Sequence, residues 1–270
     1  MYKIIVVSGV DAAIFLQGQL TQDIGRARDA KCLPAAWCNA QGRVLMTVKI
    51  LSMGDAFGLV VPESIAAAAM ARLGMYRLRS KVAFDLAGTG WEVFAASTDA
   101  LRTVQLPEST WTTDLPASAP VTEIVVSTDA LRQSALATVQ RYDPAAWRSA
   151  RIEAARVDIS ADNTALYTPH MLNLDRTGAI SFTKGCYTGQ EIVARTENLG
   201  RSKRRTFRYV CEAEDMVAGV SLRDGAVEAG IIVNVSGHDL LAVVPVAAAG
   251  KPLQIHGRVA IPQPLPYPIA

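Results

Sequence analysis

Lys184-Gly185-Cys186-Tyr187-Thr188-Gly189-Gln190-Glu191 decides how this chain is read. Two glycines bracket a cysteine, a tyrosine and a threonine, and the sequence then becomes helical. Gly185 and Gly189 permit a tight backbone path that a Cβ would resist. Thr188 and Glu191 have the Thr-x-x-Glu spacing of a capping box. A helix is predicted over about Gln190–Leu199, with Gly200 at its C-terminal cap. Cys186 then falls just ahead of a helix N-terminus, where the macrodipole favours negative charge. Two readings of the cysteine stay open: a reactive or ligand-facing thiol, and a small side chain buried in a tight turn.

Working outward, the N-terminal part alternates strands and helices. Strand Lys3–Ser8 leads to a helix that Asp11 can cap, with Ile14, Phe15, Leu20 and Ile24 on a shared face. Lys31–Cys38, Arg43–Leu51 and Ala56–Val61 read as a strand meander. An alanine-rich helix follows from Glu63 to about Leu73, then strands near Lys81–Leu86 and Trp91–Ala96. The segment Leu106–Pro120 is rich in Pro, Ser and Thr and reads as a surface loop. A strand at Glu123–Ser127 precedes helices over about Asp129–Gln140 and Ala145–Arg156, the second opened by Asp143-Pro144. Beyond Gly200, short Val/Ile/Leu runs alternate with Gly and Asp turns, which is the pattern of a small all-β module. Charge marks the same change: residues 195–208 carry a net +5, residues 209–270 a net −3, and the first 194 balance. The division expected is 1–200, a composite α+β region of two intertwined subdomains, and 201–270, a β-barrel.

Composition narrows the function classes. Of 270 residues half are hydrophobic, enough for a sizeable core, and the net charge of +2 creates no global field for nucleic acid or membrane. No apolar run reaches the length of a membrane span. Cysteines 32, 38, 186 and 211 form no C-x-x-C pair and lie far from the three histidines, so no metal site is expected. Scattered thiols of this kind fit a reducing, cytoplasmic setting.

The octapeptide 184–191 resembles the signature of the YgfZ family, the folate-binding branch related to the T-protein (aminomethyltransferase) of the glycine cleavage system. The resemblance extends to Phe15–Asp23, to Cys38-Asn39-Ala40-Gln41-Gly42-Arg43, to Leu172-Asn173-Leu174 with Gly178–Phe182, and to Pro264-Leu265-Pro266-Tyr267. It implies an α+β fold of three subdomains around a central cavity, the last a small β-barrel. It also implies binding of tetrahydrofolate or a derivative. The family role is as an accessory in the maturation or repair of iron–sulfur enzymes, including those that modify tRNA. Partners would be a reduced folate, iron–sulfur enzymes or cluster-assembly proteins, and tRNA, without a membrane.

T-proteins carry catalytic aspartates shortly after the Asn-x-x-Gly turn. Met46 and Thr47 stand there in this chain, and neither can orient or deprotonate an amine as an aspartate does. Aminomethyl transfer, the alternative reading as a folate-dependent transferase, is argued against on that ground. A folate needs ring contacts, for which Trp37, Trp147 and Tyr187 are candidates, each competing with ordinary core packing. Its pterin edge needs polar partners, among which Asn39, Gln190 and Glu191 fall, and its glutamate tail needs cations. Arg43 and Lys184 are candidates for the tail or a phosphate, with solvated charge as the plain reading. Arg195, one turn beyond Glu191, suggests an ion pair on the helix. The run Arg201–Arg205 could meet tRNA or a polyglutamate tail, but lacks the aromatic interleaving of a single-strand binder. Cys186 is the candidate functional thiol. One thiol cannot hold an iron–sulfur cluster alone, since such clusters take about four ligands.

Overall fold

Three antiparallel sheets carry the structure, a computed structural model describing residues 1–28, 32–200 and 202–269. The first sheet joins β1 (Tyr2–Ser8), β2 (Leu33–Cys38), β3 (Val44–Met53), β4 (Ala56–Pro62) and β5 (Ala83–Ala87) in the order β2-β3-β4-β1-β5. Helix α1 (Ala12–Gln19) follows β1, and α2 (Glu63–Met75) packs across β1, β4 and β5. The predicted strand start at Lys31 lies outside the described residues, as does Arg201 of the basic run.

The second sheet has three strands, β6 (Trp91–Ser97), β7 (Thr110–Leu115) and β8 (Val121–Ser127), with β8 in the middle. Strand β7 overturns the expected loop over Leu106–Pro120. Its Thr-Trp-Thr-Thr core is β-branched and aromatic, which suits an edge strand despite flanking Pro and Ser. The helix expected over Asp129–Gln140 is also broken. Short helices α3 (Thr98–Leu101) and α4 (Thr128–Arg132) follow β6 and β8, and Ala135–Thr138 is a separate 3₁₀ turn, because Ser134 Oγ donates to Leu131 O and interrupts the ladder. Helix α5 (Pro144–Glu153) begins as expected: Asp143 Oδ1 accepts from the amides of Ala145 and Ala146.

After α6 (Gln190–Leu199) the chain closes a six-stranded barrel from β9 (Arg204–Cys211), β10 (Ser221–Asp224), β11 (Val227–Ser236), β12 (Asp239–Pro245), β13 (Leu253–Ile255) and β14 (Arg258–Gln263). Leu253–Ile255 and Arg258–Gln263 form a hairpin, turned by His256-Gly257 with positive φ at both. The barrel has its own core around Tyr209, Leu222, Ile232 and Ile255. Its Val233, Leu241 and Val243, with Leu265 and Tyr267 of the tail, pack into the largest core, which also holds the first sheet and the segment 152–180. The overall class is α+β, with three sheet-built parts and a C-terminal barrel.

Candidate functional site

A cavity of about 210 Å³ lies between the first two sheets. Its floor comes from β1 to β4, through Tyr2, Ala35, Thr47, Val48, Lys49 and Val60. Its far side comes from Thr113 and Glu123 of the second sheet, from Arg151 on α5, and from the stretch Ala155–Asp158 that follows α5.

Glu123 is the electrostatic centre of this wall. It sits on the middle strand β8 between Ala95 and Thr113, only 2% exposed. Lys49 Nζ reaches Oε2 at 2.5 Å, while Arg151 Nη1 and Trp147 Nε1 both donate to Oε1, the indole at 2.8 Å. Arg151 turns its other edge to Asp158, with Nε to Oδ2 at 3.0 Å and Nη2 to Oδ1 at 2.8 Å. The Tyr2 hydroxyl completes the chain by donating to Asp158 Oδ2 at 2.5 Å. Burial alone would raise the Glu123 carboxyl, but Arg151 and Lys49 outweigh it and hold the group at about 2. Burial would lower Arg151, yet Asp158 and Glu123 leave it well above the usual guanidinium value. Glu123 is therefore a fixed anion set against the fixed cation of Arg151.

Of the Met46-Thr47 pair, Thr47 is the one that faces the cavity. Its Oγ1 accepts from the Ile159 amide at 3.2 Å, so it holds the opposite wall. Met46 points the other way and is fully buried, as strand alternation requires. Arg156, also on the wall, is lowered by burial and by nearby Arg151. Among the described residues its buried Nε has no acceptor. Cys32 lines the same space, its thiol pushed up by burial.

None of the ten residues singled out from the sequence lines this cavity. Most gather instead around the turn that ends β2. Asn39 Oδ1 closes that turn by accepting from the amides of Gln41 and Arg43, and Arg43 Nη1 donates to Leu166 O at 2.8 Å. Gly189, with φ +84°, presses directly on it: a Cβ there would stand 2.4 Å from Asn39 O. Gly185 has open space and no such constraint, so only one of the two signature glycines is demanded by the backbone. The expected Thr188–Glu191 capping box does not form. Gly189 itself takes the cap position in left-handed geometry, which displaces Thr188 from it, and Gln190 Oε1 accepts from the Tyr187 amide at 3.3 Å instead. Glu191 and Arg195 are exposed and make no ion pair with each other. Cys186 is exposed on the turn.

Lys184 is not a solvated charge: its ammonium is buried and donates to the carbonyls of Gln17, Leu20 and Gln22 at 2.6, 2.7 and 2.9 Å. It thus closes the C-terminal end of α1, and lies 5.1 Å from the Tyr187 ring centroid. Burial, only partly offset by Asp23, lowers its amine to about 8. Trp37 is buried, its Nε1 donating to Gln19 and its ring edge-on to Tyr76 at 5.6 Å. Trp147 stands one layer behind the cavity, tilted on Tyr2 at 5.0 Å. Within the basic run, Arg205 turns inward to Asp175 at 2.7 Å, which removes its charge from any surface. Asp11 likewise makes no cap for α1; its Oδ2 accepts from the Lys81 amide at 2.6 Å, and Ile14 is 77% exposed.

The sequence and the fold have counterparts. The tRNA-modifying protein YgfZ of Escherichia coli O157:H7 (strain EC4115 / EHEC) is 28% identical over 271 aligned residues, covering 86% of this chain and 83% of that protein. The chain is thus similar in sequence to YgfZ proteins over most of its length. The YgfZ relative of Shigella boydii serotype 18 (strain CDC 3083-94 / BS512) aligns over the same shares at 27% identity. The crystal structure of the glycine cleavage system aminomethyltransferase T from Bartonella henselae superposes with a TM-score of 0.68, covering 97% of this chain and 82% of that one at 17% identity. The chain therefore has the T-protein fold alongside a sequence similar to YgfZ proteins. No family model matches it. Among the described residues, no helix is long and apolar enough to cross a membrane.

Tyr2, Lys49, Glu123, Arg156 and Asp158 escape a sequence reading because four separate segments supply them. One signal was available. Glu123 is a lone acid in the apolar strand Val121–Ser127, and a buried acid demands a cation from elsewhere.

Proposed function

We propose that the protein binds a reduced folate in the cavity between the two sheets and acts with it as an accessory factor in tRNA modification, through the upkeep of iron–sulfur enzymes. The observation that carries this reading is the cavity's construction. Apolar Val48, Val60, Ala155 and Val157 with the Tyr2 ring suit a flat heterocycle, and Arg156 brings an unpaired buried donor for a ring carbonyl. The name of the YgfZ relatives supports the tRNA connection, and the T-protein fold supports the folate. The pterin would be held, not turned over. Glu123 at about 2 is a weak base at neutral pH, and Thr47 offers a hydroxyl where an acid would be required for amine activation.

A direct test is calorimetric titration with tetrahydrofolate and with its oxidised form. Micromolar or tighter affinity for the reduced ligand, with heat lost in a Val48→Trp protein that fills the cavity, is expected. No heat with either form would remove the folate reading.

Cys186 supplies the thiol that iron–sulfur chemistry calls for. It is exposed, close to the N-terminus of α6, and displayed on a turn whose shape Gly189 fixes. In a strain lacking the protein, Cys186→Ser is expected to lower activity of iron–sulfur tRNA-modifying enzymes about tenfold relative to wild type, a loss of roughly 1.4 kcal/mol in effective action. Full restoration by the variant would exclude the thiol.

A further inference from the structure

No acidic residue occurs between Glu63 and Asp85, while Arg72, Arg77, Arg79 and Lys81 crowd the end of α2 and the loop to β5. All four are exposed, and among the described residues none has a carboxylate within ion-pair distance. Apolar side chains stand among them. Met75 is 69% exposed and Leu78 88%. Val10, 83% exposed, and Ile14 adjoin the loop from the start of α1. Asp11 straps the two segments together, since its Oδ2 accepts from the Lys81 amide, and Gly9 packs directly against the Lys81 carbonyl. The loop is stiff. The amides of Tyr76, Arg77, Ser80 and Val82 each donate to a nearby carbonyl of the same stretch, and the Tyr76 ring packs on Trp37. Leu78 is held at φ +45°, a left-handed conformation that a bulky side chain resists. A strained leucine displayed to water adds nothing to the folded state, so its display points to a surface that receives it.

Shape and chemistry together choose the occupant. The high exposure of Leu78 and Met75 makes this face a convex tip with an apolar crown and a cationic collar. A nucleic acid would engage the collar and leave four aliphatic side chains wet, and the ring at hand, Tyr76, is turned to Trp37 and not to a stacking base. The interface of an anionic bilayer takes both parts: lipid phosphates meet the cations, and the aliphatic side chains enter the acyl boundary. We infer that this tip docks the protein reversibly on an anionic membrane surface. The chain then lies on the bilayer and does not cross it, in keeping with its helices. A net charge of +2 hides the patch, because the cations are concentrated in residues 72–81. Folate binding plays no part in this docking.

The test is co-sedimentation of the full chain with vesicles of equimolar phosphatidylcholine and phosphatidylglycerol, and with vesicles of phosphatidylcholine alone. The wild type is expected on the anionic vesicles and scarcely on the neutral ones. Arg77→Gln/Arg79→Gln should weaken anionic binding by more than about tenfold at low salt, at about fivefold for each cation, and added salt should weaken the wild type in the same direction. Leu78→Asn keeps every charge, and asparagine tolerates the left-handed backbone, so the variant tests the apolar crown alone. It should bind about tenfold more weakly. Melting curves verify that both variants are folded. Absence of binding to the anionic vesicles overturns the inference, and so does binding that Leu78→Asn leaves intact. Transfer RNA bound through Arg77 and Arg79 with vesicles ignored assigns the tip to nucleic acid. A dimer abolished by Leu78→Asn, again with vesicles ignored, assigns it to a second copy of the chain. Either result overturns membrane docking.

Discussion

Glu123→Ala is expected to lower the melting temperature by about 10 °C. The substitution strands Lys49 and Arg151 without their shared anion in a buried wall, and breaking such a pair costs about 3–5 kcal/mol. For a chain of this size each kcal/mol moves the transition by about 2–4 °C. The indole of Trp147 loses its acceptor in the same step. Calorimetric melting checks this, and a fall of less than about 2 °C would show that the network holds nothing together. The same group sets an acid limit. Its folded value of about 2 lies below the ordinary carboxyl value of 4.5, so the folded state binds its proton less readily than the unfolded chain. The stabilisation is present above pH 4.5 and drains away as pH falls toward 2, a contribution of about 3 kcal/mol that Glu123→Gln should abolish along with its pH dependence.

Gly189→Ala should be nearly as damaging, by a different route. The residue lies at φ +84°, where a side chain is strained, and the new methyl would meet Asn39 O at 2.4 Å and Cys38 Cβ at 3.1 Å. Left-handed strain costs about 1–3 kcal/mol, and forced overpacking a similar amount. A loss of about 3 kcal/mol in chemical denaturation is expected. Gly185→Ala, with nothing within 4 Å, should change stability by less than about 0.5 kcal/mol. Equal effects of the two substitutions would mean that the contact between the signature turn and the Asn39–Gly42 turn does not fix its shape.

That contrast shows how far the sequence could be read. Elements declared by local pattern were legible: β1, the β2–β4 meander, α5 behind Asp143-Pro144, α6 and most barrel strands. Strand β7 was hidden because Pro and Ser around it speak of loop, while its pairing to β8 is a tertiary fact. The cap of α6 was misread because Thr-x-x-Glu spacing does not reveal that Gly189 will bend backwards to meet another turn. The signature drew attention to itself by being contiguous, yet the cavity is built elsewhere, from residues scattered over many segments. Lys184 illustrates the remaining gap. A lysine looks solvated in sequence, and only the arrival of three carbonyls from the end of α1 makes it a buried clasp.

The barrel's grip on residue 158 has a consequence for the whole chain. Asn234 on β11 accepts from the Asp158 amide at 3.0 Å and donates to the Asp158 carbonyl at 2.8 Å. The peptide groups that aim this carboxylate toward Arg151 and Tyr2 are thus braced from some seventy-six residues downstream. A shortened chain without β11 would keep every acid and cation of the wall but lose the strut that aligns them. Occupancy of the cavity and integrity of the barrel are then coupled quantities, so a ligand that fills one should slow hydrogen exchange in the other.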